Sequence, residues 1–291
     1  MILNVQNQIS DTPNHPTPPI HRRILSHPEL ENMLSALSLK GFKEHYWALA
    51  QMHDETGQTN VDYLNALTHL EVERRSQERL LKLVSNARLP RNKVLCDFDV
   101  KRIKGLSGAL IQRLANGSFM DEGSNIIIMG NPGTGKTHLS IGLAREWCLA
   151  GRRVLFMTAA KVLEELKIAH ENKKFHIYLQ KLDRFECLLI DDISYVPMQR
   201  EDADLLFQLI SERYEKRSLL ITSNTPFSKW GKIFKDDMTT AAAVDRLVHH
   251  AEILELNATS YRAQKAIRKV RKDSQSKEPK NNELGEKNDV E

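Results

Sequence analysis

Hydrophobic positions divide the chain into two kinds of segment. From Glu29 to about Arg88 they recur every three or four residues, a spacing typical of amphipathic helices. From Asn125 to about Leu256, short apolar runs alternate with helical spacing, which predicts buried parallel strands covered by helices on both faces. The predicted strands are Asn125–Met129, Val154–Met157, Cys187–Ile190, Leu219–Thr222 and Glu252–Leu256. The predicted helices of this part are Lys136–Ala150, Ala159–Asn172, Phe175–Leu182, Glu201–Lys216 and Thr239–His249. The fold class is therefore α/β, a three-layer domain around a parallel five-stranded sheet, preceded by a small all-α domain.

Glycine, proline and polar residues mark the expected boundaries. Gly41 is expected to break the first helical segment, and Asn60 to cap a long helix from Val61 to about Arg88. A short helix is expected at Gly105–Ala115. Residues 1–28 contain five prolines and few large apolar side chains, so disorder is expected there. The expected domains are a disordered leader at 1–28, a helical N-terminal domain at 29–98, the α/β domain at 99–262 and a charged, disordered tail at 263–291.

The composition favours an intracellular protein with an ordinary core. Cys96, Cys148 and Cys187 are far apart and form no metal-binding pattern, so reduced thiols are expected. The N-terminus has no signal-peptide pattern, and no apolar run approaches the ~20 residues of a membrane helix. A cytoplasmic location without a membrane partner is therefore expected. The net charge of +4 only weakly favours a polyanionic partner, so the distribution of charge matters more.

The segment after the first predicted strand fits G-x-x-x-x-G-K-[ST] at every required position. Backbone N–H groups can converge on a triphosphate, and glycine allows the close approach and the positive φ angles that this needs. The positive end of the following helix dipole adds to the attraction. The alternative is a glycine-rich turn with an incidental lysine, but the flanking strand and helix favour an ATP site. The predicted nucleotide-binding residues are Gly130, Asn131, Pro132, Gly133, Thr134, Gly135, Lys136, Thr137 and His138.

Catalytic and metal-binding residues are expected beside this loop. Lys136 is expected to reach the β- and γ-phosphates, and the Thr137 hydroxyl to bind Mg²⁺. Four apolar residues of a predicted strand lead into Asp191 and Asp192. Asp191 is expected to hold Mg²⁺, mostly through water, and Asp192 to orient the attacking water. Two acids after a strand also occur as a helix cap or in a loop, and many ATPases have a longer glutamate where Asp192 stands.

Two later polar residues complete the candidate catalytic set. Asn224 follows a predicted strand and is a candidate to contact the γ-phosphate or the lytic water, with a simple turn before Pro226 as the alternative. Arg246 lies on a predicted helix. It is a candidate arginine finger that acts across a subunit boundary on the charge of the transferred phosphoryl group. The alternative for Arg246 is a surface salt bridge.

Basic residues cluster in the second half of the long N-terminal helix and just after it. Seven basic residues and one acidic residue lie between Arg74 and Lys93. A sequence-independent contact with DNA phosphates and a solvated helix face both fit this pattern. The candidate contacts with duplex DNA are Arg74, Arg75, Arg79 and Lys82.

Six segments together resemble the IstB family, helper ATPases of insertion sequences that are related to the DnaC helicase loaders within the AAA+ class. The resemblance runs from about Met33 to Arg262, and its most specific part is TSN-P-F-x-x-W followed by DRL-x-HHA. The six segments are GNPGTGKTHL (130–139), LLIDDIS (188–194), LFQLISERYE (206–215), ITSNTPFSKWGKIF (221–234), DRLVHHA (245–251) and SYR (260–262).

This resemblance implies a function as well as a fold. Proteins of the family bind ATP, oligomerise on duplex DNA with little sequence preference and help the transposase encoded by the same element. Hydrolysis then remodels or releases the assembly. A bacterial cytoplasmic protein is implied, associated with the nucleoid when bound to DNA. The implied roles are Walker A for Lys136 and Thr137, Walker B for Asp191 and Asp192, sensor 1 for Asn224, and action in trans within a homo-oligomer for Arg246.

Other functions stay open at this point. A DnaC-like replicative helicase loader would bind a helicase and prefer single strands, although few stacking aromatic residues lie near the basic helix. A P-loop kinase or a binding module without turnover would show no dependence on DNA. No separate sensor-2 arginine is evident, and Arg262 is a candidate for that role. The basic residues from Lys265 to Lys272 are a further candidate contact for nucleic acid.

Overall fold

The computed structural model describes residues 27–195, 198–234 and 236–261, and the chain divides into two compact units between residues 75 and 76. The first unit is helical, and the division falls within its third helix. Among the described residues, no helix has the length and apolar character needed to cross a bilayer. The first three helices are α1 His27–Ala36, α2 Lys40–Thr56 and α3 Asn60–Asn86.

Gly41 is buried in α2 and does not form the predicted break. The break lies at Ser38, where φ is +57°, and α2 begins at Lys40. A Cβ added at Gly41 would lie only 2.8 Å from Glu71 Oε2, and the Gly41 N–H donates a hydrogen bond of 2.6 Å to the same oxygen. The prediction was wrong because a glycine in a helical pattern also permits close packing, and here α2 approaches α3.

The turn between α2 and α3 is confirmed, but its cap is not the predicted Asn60. α2 ends at Thr56 and is capped by Gly57, whose φ of +68° is left-handed. Thr59 Oγ1 accepts a hydrogen bond from the Asp62 N–H at 3.2 Å, and Asp62 Oδ2 accepts one from the Thr59 N–H at 3.0 Å. This reciprocal capping box places the cap at Thr59.

The second unit contains the predicted five-stranded parallel sheet, in the order β2-β3-β4-β1-β5. Every predicted strand and helix of this unit is present, with ends shifted by a few residues. The strands are β1 Asn125–Met129, β2 Val154–Thr158, β3 Cys187–Asp191, β4 Ser218–Ser223 and β5 Ala251–Glu255. The helices are α4 Gly108–Ala115, α5 Lys136–Leu149, α6 Ala159–Glu171, α7 Phe175–Asp183, α8 Arg200–Arg213, α9 Gly231–Phe234 and α10 Asp237–Val248.

Two hydrophobic clusters cover the two faces of this sheet. One packs α6 to α10 against it, and the other contains α4, α5 and the segment that follows α3. In the second cluster, Ala87, Leu95 and Phe98 lie with the buried Trp147. The Phe156 N–H of edge strand β2 donates a hydrogen bond of 2.9 Å to the Ala87 carbonyl. Residues from the end of α3 onward therefore pack with the second unit. The division between the units lies earlier in the chain than the domain boundary expected at residue 98.

The predicted chain ends fall mostly beyond the described part of the structure. His27 and Pro28, assigned to the leader from the sequence, already belong to α1. The rest of the leader lies outside the described residues. So do the candidate sensor-2 residue Arg262 and the whole charged tail.

Candidate nucleotide-binding site

Three neighbouring strands of the sheet end together at one cavity. β3, β4 and β1 are adjacent and parallel, so the residues after their carboxyl ends meet at one edge of the sheet. The cavity there has a volume of about 1020 Å³. Its lining includes loop residues Pro132 to His138 together with Asp192, Thr222 and Asn224. The structure therefore brings together the loop and the polar residues that follow the two neighbouring strands.

The loop before α5 has the conformation that its glycines permit. Gly133 and Gly135 have φ angles of +82° and +107°, which other residues rarely adopt. Space is limited as well, since a Cβ at Gly133 would overlap Ser260 Oγ and one at Gly135 would lie 2.9 Å from Phe98 Cε2. α5 then begins at Lys136, so the amides and positive dipole end of its first turn border the cavity. This arrangement suits a bound phosphate chain.

Lys136 is fixed at the junction between the loop and β4. Its side chain is buried, and Nζ donates hydrogen bonds to the carbonyl oxygens of Gly130 at 2.7 Å and of Asn131 at 3.0 Å. Nζ also donates to Asn224 Oδ1. Gly130 and Asn131 thus contact the lysine through their carbonyl groups, and the ammonium lies beside the loop that borders the cavity.

Asn224 links Lys136 to Asp192. While Oδ1 accepts from the lysine, Nδ2 donates a hydrogen bond to Asp192 Oδ1. The Asn224 N–H donates to Ser194 Oγ at 2.9 Å, which fixes the end of β4. Asp192 has a left-handed φ of +67°, and its N–H donates to Thr222 Oγ1 at 2.8 Å. The three polar side chains therefore form one connected set, held by contacts that leave little freedom to reorient.

Asp191 and Thr137 supply a pair of oxygen atoms suited to Mg²⁺. Thr137 Oγ1 donates a hydrogen bond of 3.0 Å to Asp191 Oδ1, and Thr222 Oγ1 donates one of 2.6 Å to the same oxygen. Mg²⁺ takes oxygen ligands at about 2.0–2.1 Å in octahedral geometry, which puts neighbouring ligands roughly 3 Å apart. The Thr137–Asp191 distance fits this geometry.

Sequence reasoning missed Thr222, which touches both acidic residues. The available signal was a hydroxyl in the strand beside Asp191, two residues before Asn224. It also missed the second wall of the cavity, which comes from the segment after α3 and from the residues after β5. The residues of that wall are Asn92, Lys93, Asp97, Phe98, Asp99, Arg102, Ile103 and Tyr261.

His138 lines the cavity but is turned toward the segment after α3. Its Nε2 lies 2.8 Å from the Val94 carbonyl oxygen, and its ring centre is 5.8 Å from that of Phe98. Residues 259–261 contact the loop from the other side. The Tyr261 N–H donates to the Gly133 carbonyl at 2.9 Å, and the Arg102 guanidinium lies 4.8 Å from the centre of the Tyr261 ring.

Arg246 is placed away from the cavity of its own chain. It lies in the last turn of α10, where its guanidinium stacks 4.8 Å from the centre of the Phe207 ring and donates to the Ala242 carbonyl at 3.2 Å. α10 leads into the amino end of β5, whereas the phosphate loop follows the carboxyl end of β1. The structure therefore does not bring Arg246 together with the other candidate catalytic residues of the same chain.

The four candidate DNA contacts fall into two kinds. Arg74 and Arg75 form short ion pairs with the buried Glu71, at 2.7 Å and 2.6 Å. Hydrogen bonding from Arg74 above all, with further hydrogen bonds from Arg75 and the Gly41 N–H, lowers the pKa of Glu71 to about 2 despite its burial. The other two candidates, Arg79 and Lys82, are exposed on α3.

The strand order and the position of the loop define the class of the protein. A parallel sheet of order β2-β3-β4-β1-β5 with a phosphate loop after β1, which lies between β4 and β5, is a P-loop nucleotide-binding domain of the AAA+ class. The AMPPCP-bound DnaA from Aquifex aeolicus has a similar fold, with a TM-score of 0.50 and 19% sequence identity. That similarity covers 64% of this chain and 56% of the DnaA chain.

The chain belongs to the family described as IstB-like ATP binding protein, which its residues 32–269 match. This confirms the resemblance seen in the sequence. A protein of Sinorhizobium fredii named as an insertion sequence ATP-binding protein is 36% identical, over 81% of this chain and 79% of its own. A Pseudomonas aeruginosa protein, named as an ATP-binding protein of insertion sequence IS21, is 36% identical over 80% of this chain and 88% of its own.

Proposed function

We propose that this protein is a Mg²⁺-dependent ATPase that oligomerises on duplex DNA and assists the transposase encoded by the same insertion sequence. The observation that carries the ATPase proposal is the connected set of Lys136, Asn224 and Asp192 beside the pair formed by Thr137 and Asp191. The names of the bacterial relatives support the link to insertion sequences. A protein with these partners works in the cytoplasm, at the nucleoid.

Each side chain of the set has a role in this proposal. Thr137 and Asp191 hold Mg²⁺, which supplies positive charge beside the phosphates. Lys136 neutralises charge on the β- and γ-phosphates, and Asp192 orients the water that attacks the γ-phosphorus. Asn224 positions Asp192 relative to Lys136, because its amide accepts a hydrogen bond from the lysine and donates one to the aspartate.

The proposal assigns Arg246 to the site of a neighbouring subunit. Its distance from the cavity of its own chain agrees with a role in trans, where a guanidinium stabilises the charge that spreads over the transferred phosphoryl group. Stacking on Phe207 restrains the guanidinium before the neighbour arrives. ATP hydrolysis would then depend on assembly, because a lone subunit lacks this group.

Arg79 and Lys82 are the better candidates for contact with DNA phosphates, because Arg74 and Arg75 already pair with Glu71. If they contact the backbone, the affinity for duplex DNA falls with salt on a log–log line with a slope of about 0.9 per phosphate. Replacing Arg79 and Lys82 by Gln should reduce the slope by roughly 1 to 2. An unchanged slope, with a reduced slope for the Arg74→Gln variant, would show that this assignment is wrong.

The decisive experiment measures ATP turnover with and without duplex DNA while particle size is followed in the same samples by light scattering. The proposal expects duplex DNA to raise both turnover and particle size in the presence of ATP and Mg²⁺. Stimulation by single strands alone would favour a helicase loader. Turnover that is insensitive to DNA, at constant particle size, would contradict the proposal and favour a P-loop kinase or a binding module.

A further inference from the structure

A second group of side chains with metal-binding chemistry lies outside the nucleotide site. Glu215 follows α8 by two residues, and His249 and His250 directly follow α10. Glu215 Oε1 lies 3.7 Å from His249 Nδ1 and 3.8 Å from His250 Nε2. Among the residues that the structure describes, this is the one group of three such side chains close enough to share an ion. The ATPase proposal uses none of the three.

These distances are close to those of a metal site. Zn²⁺ binds imidazole nitrogen and carboxylate oxygen at about 2.0–2.2 Å in tetrahedral geometry, which places ligand atoms roughly 3.4 Å apart. Both measured separations exceed this by only a few tenths of an ångström. Two imidazoles and one carboxylate form a donor set that suits Zn²⁺ and its neighbours Co²⁺ and Ni²⁺ better than Mg²⁺ or Ca²⁺, which prefer oxygen alone.

Backbone contacts hold Glu215 and His250 in place. Glu215 has a left-handed φ of +57°. Its backbone packs closely against Gly123, because a Cβ added at Gly123 would lie only 2.9 Å from the Glu215 carbonyl carbon. The His250 carbonyl accepts a hydrogen bond of 2.8 Å from the Asn125 N–H at the start of β1. The three side chains remain between 50% and 54% exposed, so an ion can reach them from solvent. Positioned ligands with an open entry path are what a binding site needs.

A tyrosine completes the surroundings of the group. Tyr214 Oη lies 2.6 Å from His249 Nδ1, the same nitrogen that faces Glu215 Oε1. A metal ion at His249 Nδ1 would replace this contact with Tyr214, because the lone pair of one imidazole nitrogen cannot serve both. Water is left to complete the coordination.

We propose that Glu215, His249 and His250 form a surface site for one transition-metal dication of the zinc class. The ion would join the turn between α8 and β4 to the turn between α10 and β5. Both turns precede the amino ends of their strands, so the site lies at the edge of the sheet opposite the phosphate loop. Metal binding and nucleotide binding are therefore separate properties, and neither proposal depends on the other.

The test uses the full chain without an affinity tag, stripped of metal with a chelator. Co²⁺ is titrated in and its visible absorption recorded, and Zn²⁺ is then added as a competitor. We expect saturable uptake of one Co²⁺ per chain, with displacement by Zn²⁺. We also expect Zn²⁺ to raise the melting temperature, because an ion that binds only the folded state stabilises it.

Three variants make the test specific. Glu215→Gln and His250→Ala should each weaken Co²⁺ binding roughly 10-fold or more, because each removes one ligand. His176→Ala, which removes an exposed histidine on α7, should bind as the wild type does. Circular dichroism and ATP affinity show whether each variant is folded. Lack of saturable uptake by the wild type, or equal uptake by Glu215→Gln and wild type, would overturn the proposal.

Discussion

The buried carboxylate of Glu71 should control the stability of the helical unit. Replacing it with Gln keeps the size of the side chain but removes the charge that holds Arg74 and Arg75. The pKa of Glu71 is lowered from 4.5 to about 2. At about 1.4 kcal/mol per tenfold change in an acidity constant, the carboxylate contributes about 3 kcal/mol at neutral pH. Since Gln can still accept one hydrogen bond, this figure is an upper bound.

Hydrogen exchange followed by mass spectrometry is the suitable assay, because it reports the opening of separate segments within the full chain. At pH 7 the Glu71→Gln variant should exchange faster in peptides from 27–75, by up to about 100-fold. Peptides from the sheet, such as those that cover β1 and β4, should exchange at the wild-type rate. Glu44→Gln is the matched control, since Glu44 is an exposed acid on α2 of the same unit.

The pH dependence has a definite sign. Because folding lowers the pKa of Glu71, the stabilisation that its carboxylate gives the helical unit is fully present above pH 4.5 and is lost as the pH falls through about 2. At pH 3 the difference between wild type and Glu71→Gln should shrink to roughly half its neutral value. If Glu71→Gln and Glu44→Gln changed hydrogen exchange equally little at pH 7, the Glu71 carboxylate would not stabilise the helical unit.

The remaining predictions concern the nucleotide site. Lys136→Ala should weaken ATP binding, measured by calorimetry, by about 10- to 150-fold, which corresponds to the loss of one hydrogen bond from a charged group. The control Lys174→Ala, which changes an exposed lysine, should bind ATP as the wild type does. Asp192→Asn should keep ATP bound but lower turnover about 100-fold or more, leaving a stalled oligomer on DNA; normal turnover would remove Asp192 from the mechanism. Arg246→Ala should lose about 10³-fold in turnover yet bind ATP. Mixing it with the Lys136→Ala variant, whose Arg246 is intact, should restore part of the activity, and a lack of rescue would argue against action in trans.

Much of the second unit follows from local patterns in the sequence. Strands such as β1 and β3 are continuous apolar runs buried on both faces, so their signal is strong. The pattern around Lys136 is equally local, because its Nζ donates to the carbonyl oxygens of Gly130 and Asn131, which precede it by only six and five residues. The sheet order then follows from the class of fold, and it places Asp192 and Asn224 beside the loop without further information.

The features that the sequence did not reveal depend on contacts between distant residues. Gly41 is a packing contact because Glu71, thirty positions later, lies against it. Arg213 is another example, since its buried guanidinium donates to the carbonyls of Leu182, Phe185 and Ser218. Burial lowers the pKa of Arg213 to about 10, so it keeps its charge at neutral pH. A basic residue at the end of an amphipathic helix is normally assigned to the surface, and no local pattern distinguishes this one.

The contact of residues 259–261 with the phosphate loop has a practical consequence for truncation. The Tyr261 amide is bonded to Gly133, and Arg102 Nη2 donates to the Thr259 carbonyl at 3.1 Å. A shortened protein that stops after Leu256 would keep the phosphate loop, the candidate residues on or directly after β3, β4 and α10, and the whole sheet. It would lose the residues that contact the loop at Gly133. Such a shortened protein is therefore a poor choice for crystallography or ligand screening.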